Sequence, residues 1–66
     1  MWRYVTVYPD GHSTTHGGAI EMTWIKRHRS DIRVVLDLPH LFVREWTGGG
    51  MSRGVIQIFY SPEIVG

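Results

Sequence analysis

The sequence predicts an all-β protein of five or six short antiparallel strands, forming a small barrel or a curled sheet. Three observations carry this reading. Apolar residues recur at every second position: Ile20, Met22 and Trp24 flank Glu21 and Thr23, and Ile32, Val34, Leu36 and Leu38 flank Arg33, Val35 and Asp37. Side chains on a strand point to opposite faces in turn, so this period means sheet with one face against a core. Gly, Pro, Asp and Ser punctuate the runs, as turns require. The apolar positions are rich in β-branched and aromatic types, which suit a pleated surface.

The first strand spans residues 2–8, with Trp2, Tyr4, Thr6 and Tyr8 on one face and Arg3, Val5 and Val7 on the other. Pro9-Asp10-Gly11 then forms a hairpin turn: Pro presets φ, Asp bonds the backbone ahead, and Gly accepts positive φ. The return strand, residues 13–16, is short and polar, as suits an edge. Gly17 and Gly18 break the chain. Residues 19–29 read as a strand by period, although their composition also suits a helix. A helix there would make the fold α+β.

Residues 32–38 form the next strand, and the successive Val34 and Val35 point to a central place with both faces buried. Pro39 ends the ladder, as a bend in one long strand or a corner between two. Residues 40–46 resume the sheet, and Gly48, Gly49 and Gly50 make a mobile loop. The last strong strand is 54–60. The tail, 61–66, reads as extended, with Ser61-Pro62-Glu63 as a competing helix start. The expected core is Val5, Val7, Ile20, Met22, Trp24, Ile32, Val34, Leu36, Leu41, Val43, Ile56 and Ile58. The even spacing of Trp2, Trp24 and Trp46 has unmatched flanks and is not a repeat.

The chain has 66 residues and no cysteine, so residues 1–66 read as a single small β domain without disulfides or thiolate metal sites. A domain so small buries a modest share of its surface, and association is the common remedy. Three Trp, three Tyr and two Phe exceed what such a core needs. No signal-peptide h-region follows Met1 and no apolar run spans a bilayer. A cytoplasmic protein with no membrane contact is expected.

Seven basic and six acidic residues leave a net charge of +1, too balanced for a protein that works mainly on phosphate backbones. The one basic run is Lys26, Arg27, His28 and Arg29, with Arg33 close behind. Single-stranded nucleic acid is therefore the alternative reading, held by Lys26, Arg27, Arg29 and Arg33 beside stacking aromatics. His12 and His16, with Asp10 or His40, make an incomplete metal set. No nucleophile motif or carboxylate pair stands out, so neither enzyme chemistry nor a cofactor is expected. The Gly48–Gly50 run lacks the helix that a phosphate loop needs behind it.

The leading expectation is a non-enzymatic binding protein that works through protein–protein contacts. Its candidate partner-binding residues are Tyr4, Tyr8, Trp24 and Trp46, since Trp and Tyr most often anchor interfaces. The partner is another protein or a second copy, with a homo-oligomer expected. A cysteine-free β chain of this size is also the kind of object that phages encode as accessory proteins to modulate a host protein.

Overall fold

The structure is a computed structural model and describes residues 1–61. Five strands form one antiparallel sheet: β1 (Arg3–Val7), β2 (Ser13–His16), β3 (Ile32–Leu38), β4 (Leu41–Trp46) and β5 (Ile56–Tyr60). One helical turn, α1 (Met22–Ile25), lies between β2 and β3. The strand order is β2-β1-β5-β4-β3. The all-β class therefore stands, but among the described residues β2 pairs only with β1 and β3 only with β4, so their sheet is open and does not close into a barrel.

The β1–β2 hairpin closes where the turn residues direct. The Tyr8 N–H donates to the His12 carbonyl at 2.9 Å and the Gly11 N–H to the Tyr8 carbonyl at 2.9 Å. Gly11 takes φ +95°, which a side chain would resist. Leu38 pairs with Leu41, leaving Pro39 and His40 as a two-residue corner between β3 and β4.

β3 corrects the expectation of a central strand. It is an edge, and Val34 is 51% exposed. The two consecutive valines have another cause: the β3–β4 register shifts between Val34 and Leu36, so Val35 is the extra residue of a bulge.

Residues 19–29 are also corrected. They join no strand. Glu21 caps α1, its side chain accepting from the Thr23 N–H at 3.4 Å. Topology supplies the reason. β2 and β3 lie at opposite edges of the sheet, so the chain between them must cross one face. Residues 17–31 make that crossing as a strap.

The strap decides which face is the core. On its side the sheet presents Tyr4, Thr6, Phe42, Arg44, Trp46, Gln57 and Phe59, as the register requires. Phe42 and Phe59 are each 1% exposed, and Thr6, Arg44 and Val55 are buried with them. The ring of Phe59 stacks on Tyr4 at 4.8 Å and meets Phe42 at 6.1 Å. None of the twelve expected core residues is fully buried, and Trp24 is 66% exposed. Seven of them, Val5, Val7, Leu36, Leu41, Val43, Ile56 and Ile58, share the opposite face, where no described element lies over the sheet.

The triple glycine is not simply a mobile loop. Thr47 and Gly48 donate their N–H groups to the Asp31 carbonyl at 2.8 and 3.2 Å. At Gly48 an added Cβ would stand 2.9 Å from the Asp31 Cβ. Ser61 is buried and its N–H donates to the His40 carbonyl at 3.2 Å. The expectation for residues 62–66 lies outside the described residues.

Candidate partner-binding cleft

Beside the strap, the same face opens into a cleft of about 470 Å3. Its lining is Tyr4, Thr6, Tyr8, His16, Trp46, Met51, Ser52, Val55 and Gln57. Three of the four aromatic candidates, Tyr4, Tyr8 and Trp46, thus come together. Alternation along β1 puts Tyr4, Thr6 and Tyr8 on one side, and Trp46 ends β4 across the central strand.

A hydrogen-bonded hub forms the floor. Gln57 Oε1 accepts from Arg44 Nε at 2.8 Å and from Trp46 Nε1 at 3.0 Å. Gln57 Nε2 donates to Thr6 Oγ1 at 3.3 Å. Two donors on one oxygen fix which way the amide faces. Arg44 Nη1 also donates to the Ile25 carbonyl at 3.2 Å, tying the strap to the sheet. The Arg44 guanidinium lies 5.2 Å from the Trp46 ring and 5.3 Å from the Phe59 ring. Burial, helped by the nearby Arg29 charge, holds its pKa below the ordinary arginine value. It stays charged, because an arginine begins far above neutrality.

Imidazoles hold the walls. Tyr8 stacks on His12 with centroids 4.3 Å apart and planes 9° from parallel. His12 Nδ1 donates to Asp10 Oδ1 at 2.6 Å, and the His12 N–H reaches the same oxygen at 3.1 Å. Those two bonds hold the Asp10 carboxyl below its ordinary pKa. Tyr4 stacks on His16 at 4.7 Å, and His16 Nε2 bonds Thr14 Oγ1 at 3.1 Å. The two histidines considered as metal ligands thus serve as stacking partners. Among the described residues no group of three or more His, Asp or Glu could hold a metal.

Trp24 lies apart. It lines a smaller hollow of about 290 Å3 with Arg27, His28 and Arg29, and the Arg27 guanidinium sits 4.6 Å above its ring. The other basic candidates are paired. Lys26 Nζ meets Asp37 Oδ1 at 3.2 Å. Arg29 grips Asp31 with two bonds of 3.0 and 2.8 Å, and Arg33 holds Glu45 at 3.0 and 2.6 Å. Arg33 and Glu45 point from the opposite face of the sheet, so the four basic candidates do not converge.

Gln57 and Arg44 were not among the sequence candidates, and the two histidines were considered there only as metal ligands. The histidines had a signal, since the hairpin turn sets Tyr8 opposite His12 and Tyr4 opposite His16. Gln57 had none, because its role depends on three strands meeting. No family model matches the chain, and no curated protein or solved structure matches it either. Among the described residues no helix is long and apolar enough to cross a membrane.

Proposed function

We propose that this protein is a non-enzymatic binding protein that takes a segment of a protein partner into the aromatic cleft. One observation carries the reading: Tyr4, Tyr8 and Trp46 line a single concavity that, among the described residues, no Lys, Arg, Asp or Glu lines. Such a site suits neutral apolar or aromatic side chains, with the tyrosine and Ser52 hydroxyls available for backbone groups. The rings are already braced by His12, His16 and Gln57, so little side-chain freedom is lost on binding.

Selection of binders from a random peptide library on the immobilised chain tests this. Peptides with uncharged apolar or aromatic cores should be enriched, and Tyr8→Ser should weaken them about tenfold or more, the scale of a contact hot spot. Failure to select any peptide, or selection indifferent to Tyr8→Ser and Trp46→Ala, would overturn it.

A second reading has one observation in its favour, the exposed Trp24 beside Arg27, His28 and Arg29. Base stacking on an aromatic flanked by cations is how single strands are held. The ion pairs on Lys26, Arg29 and Arg33 weigh against it. A salt-sensitive affinity for a short oligonucleotide, lost in Arg27→Ala with Arg29→Ala, would favour it.

A further inference from the structure

The two edges of the sheet differ. β3 is guarded: its register breaks at Val35, Arg33 is held by Glu45, and Asp37 by Lys26. Bulges and charges on an edge discourage further pairing. β2 carries no Lys, Arg, Asp, Glu or Pro and no register shift, and its Ser13 and Thr15 are exposed.

The outer backbone groups of β2 follow from alternation. The Tyr8 N–H bonds the His12 carbonyl, and bonded pairs recur at every second residue of an antiparallel ladder. Thr6 with Thr14 and Tyr4 with His16 are therefore the bonded pairs. Ser13 and Thr15 turn their N–H and C=O groups away from β1, and no described residue meets those groups.

The cleft opens toward the same edge. Two ridges run across the strands on its face. One is His16, Tyr4 and Phe59, stacked ring on ring at 4.7 and 4.8 Å. The other begins with His12 and Tyr8, stacked at 4.3 Å. Four residues along a strand set the ridges about 13 Å apart at the backbone. Between them lie the short side chains of Thr14 and Thr6, in register, leading to the Gln57 amide. Thr6 and Gln57 line the cleft, so this trough runs into it, and Thr14 is its sill at the edge.

We propose that an extended segment of a partner protein adds to β2 as a further antiparallel strand and lays one long uncharged side chain across Thr14 into the cleft. This rests on the cleft reading and names how its partner is held. Bonds to Ser13 and Thr15 fix the register. The segment's residue between those bonds faces Thr14 in a non-hydrogen-bonded pair, where side chains stand closest. A Phe, Tyr, Met or Leu there passes between His12 and His16, since long side chains reach neighbours about 7–8 Å away. The trough offers hydroxyl and amide groups but no counter-charge, so a Lys or Glu at that place would lose its water uncompensated. Four residues of edge allow only a few main-chain bonds, and the anchor supplies the rest. A second copy does not fit: its β2 brings only Thr14 or His16 to this place, and His16 already lies on Tyr4.

N-methylation of successive residues in an uncharged-core peptide selected on the immobilised chain tests this. Affinity should fall about tenfold or more at alternate positions and persist at those between, the anchor included. Thr15→Pro removes an outward N–H and no bond to β1, a place where an edge strand accepts proline. Its circular dichroism spectrum should be unchanged while peptide affinity falls about tenfold or more. If Thr15→Pro unfolds the hairpin, the methylation series alone decides. Binding that depends on Tyr8 but shows no such alternation overturns strand addition and leaves the cleft reading standing. Failure to bind any peptide overturns both. Self-association of the chain that is lost in Thr15→Pro gives the edge to a second copy and overturns the proposal.

Discussion

Tyr8 and His12 lie ring on ring across the Pro9–Gly11 turn, centroids 4.3 Å apart, and Asp10 holds the imidazole in place from below. One short turn thus orders a wall of the cleft. The Asp10 carboxyl is held below its ordinary pKa, first by the His12 N–H and then by the His12 side chain. A depressed carboxyl stabilises the fold above its unfolded value, about 3.9, and that contribution fades as pH falls through the lower folded value. NMR titration should find the Asp10 midpoint below 3.9. In His12→Ala the midpoint should move up part of the way, since the backbone bond persists. An unchanged midpoint in the variant would leave the imidazole without a part in it.

Gln57 joins three strands through one amide. Replacing it by leucine keeps its bulk but strips Trp46 Nε1 and Arg44 Nε of their shared acceptor. Donors withdrawn from water and left without partners are costly, and the buried one of these, on Arg44, is charged. Gln57→Leu should lose roughly 2–4 kcal/mol of unfolding free energy by urea titration. Trp46 fluorescence should shift to longer wavelength as the indole loosens. A loss under about 0.5 kcal/mol, ordinary for a surface change, would show the hub to be dispensable.

The adjacent glycines 48 and 49 should behave in opposite ways. An alanine Cβ at 48 would stand 2.9 Å from the Asp31 Cβ. Asp31 cannot retreat easily, since its carbonyl accepts two N–H groups and Arg29 grips its carboxylate. Gly48→Ala should cost about 1–3 kcal/mol, as overpacking does. At 49 an added Cβ would meet no described residue within 4 Å beyond its chain neighbours, and φ is not positive. Gly49→Ala should stabilise by about 0.4–1 kcal/mol through the unfolded chain. Equal effects at both positions would remove the close approach as the explanation.

Local chemistry made much of this fold legible. Pro9-Asp10-Gly11 named the hairpin, and the hairpin sets which rings face each other across it. Pro39 marked the end of β3 but left open whether a bend or a corner follows, and the Leu38–Leu41 pair makes it a corner. What period could not tell is which face meets the core. Val5, Val43 and Ile58 alternate with Thr6, Arg44 and Gln57, and burial of the first set is the ordinary inference. The crossing from β2 to β3 reverses it, because the strap passes over the polar and aromatic set. That crossing follows from strand order, and strand order is a non-local property. Three of the four aromatic candidates converge for the same reason: Tyr4, Tyr8 and Trp46 lie on the strap's side, whereas Trp24 belongs to the strap itself.

The two faces should therefore respond differently to the same kind of change. Phe42 is 1% exposed beneath the strap, where Lys26 Nζ lies 5.5 Å from its ring centre. Phe42→Ala should cost about 3–5 kcal/mol, a large share of a stability of order 3–10 kcal/mol for a chain of this length. Leu36, on the open face, already has 37% of its surface in water. Measured at low micromolar concentration, Leu36→Ala should cost less than about 1 kcal/mol, because truncation removes few buried methylenes. Denaturation midpoints for both variants measure this, and a Leu36→Ala penalty as large as that of Phe42→Ala would mean that the open face is covered within one chain.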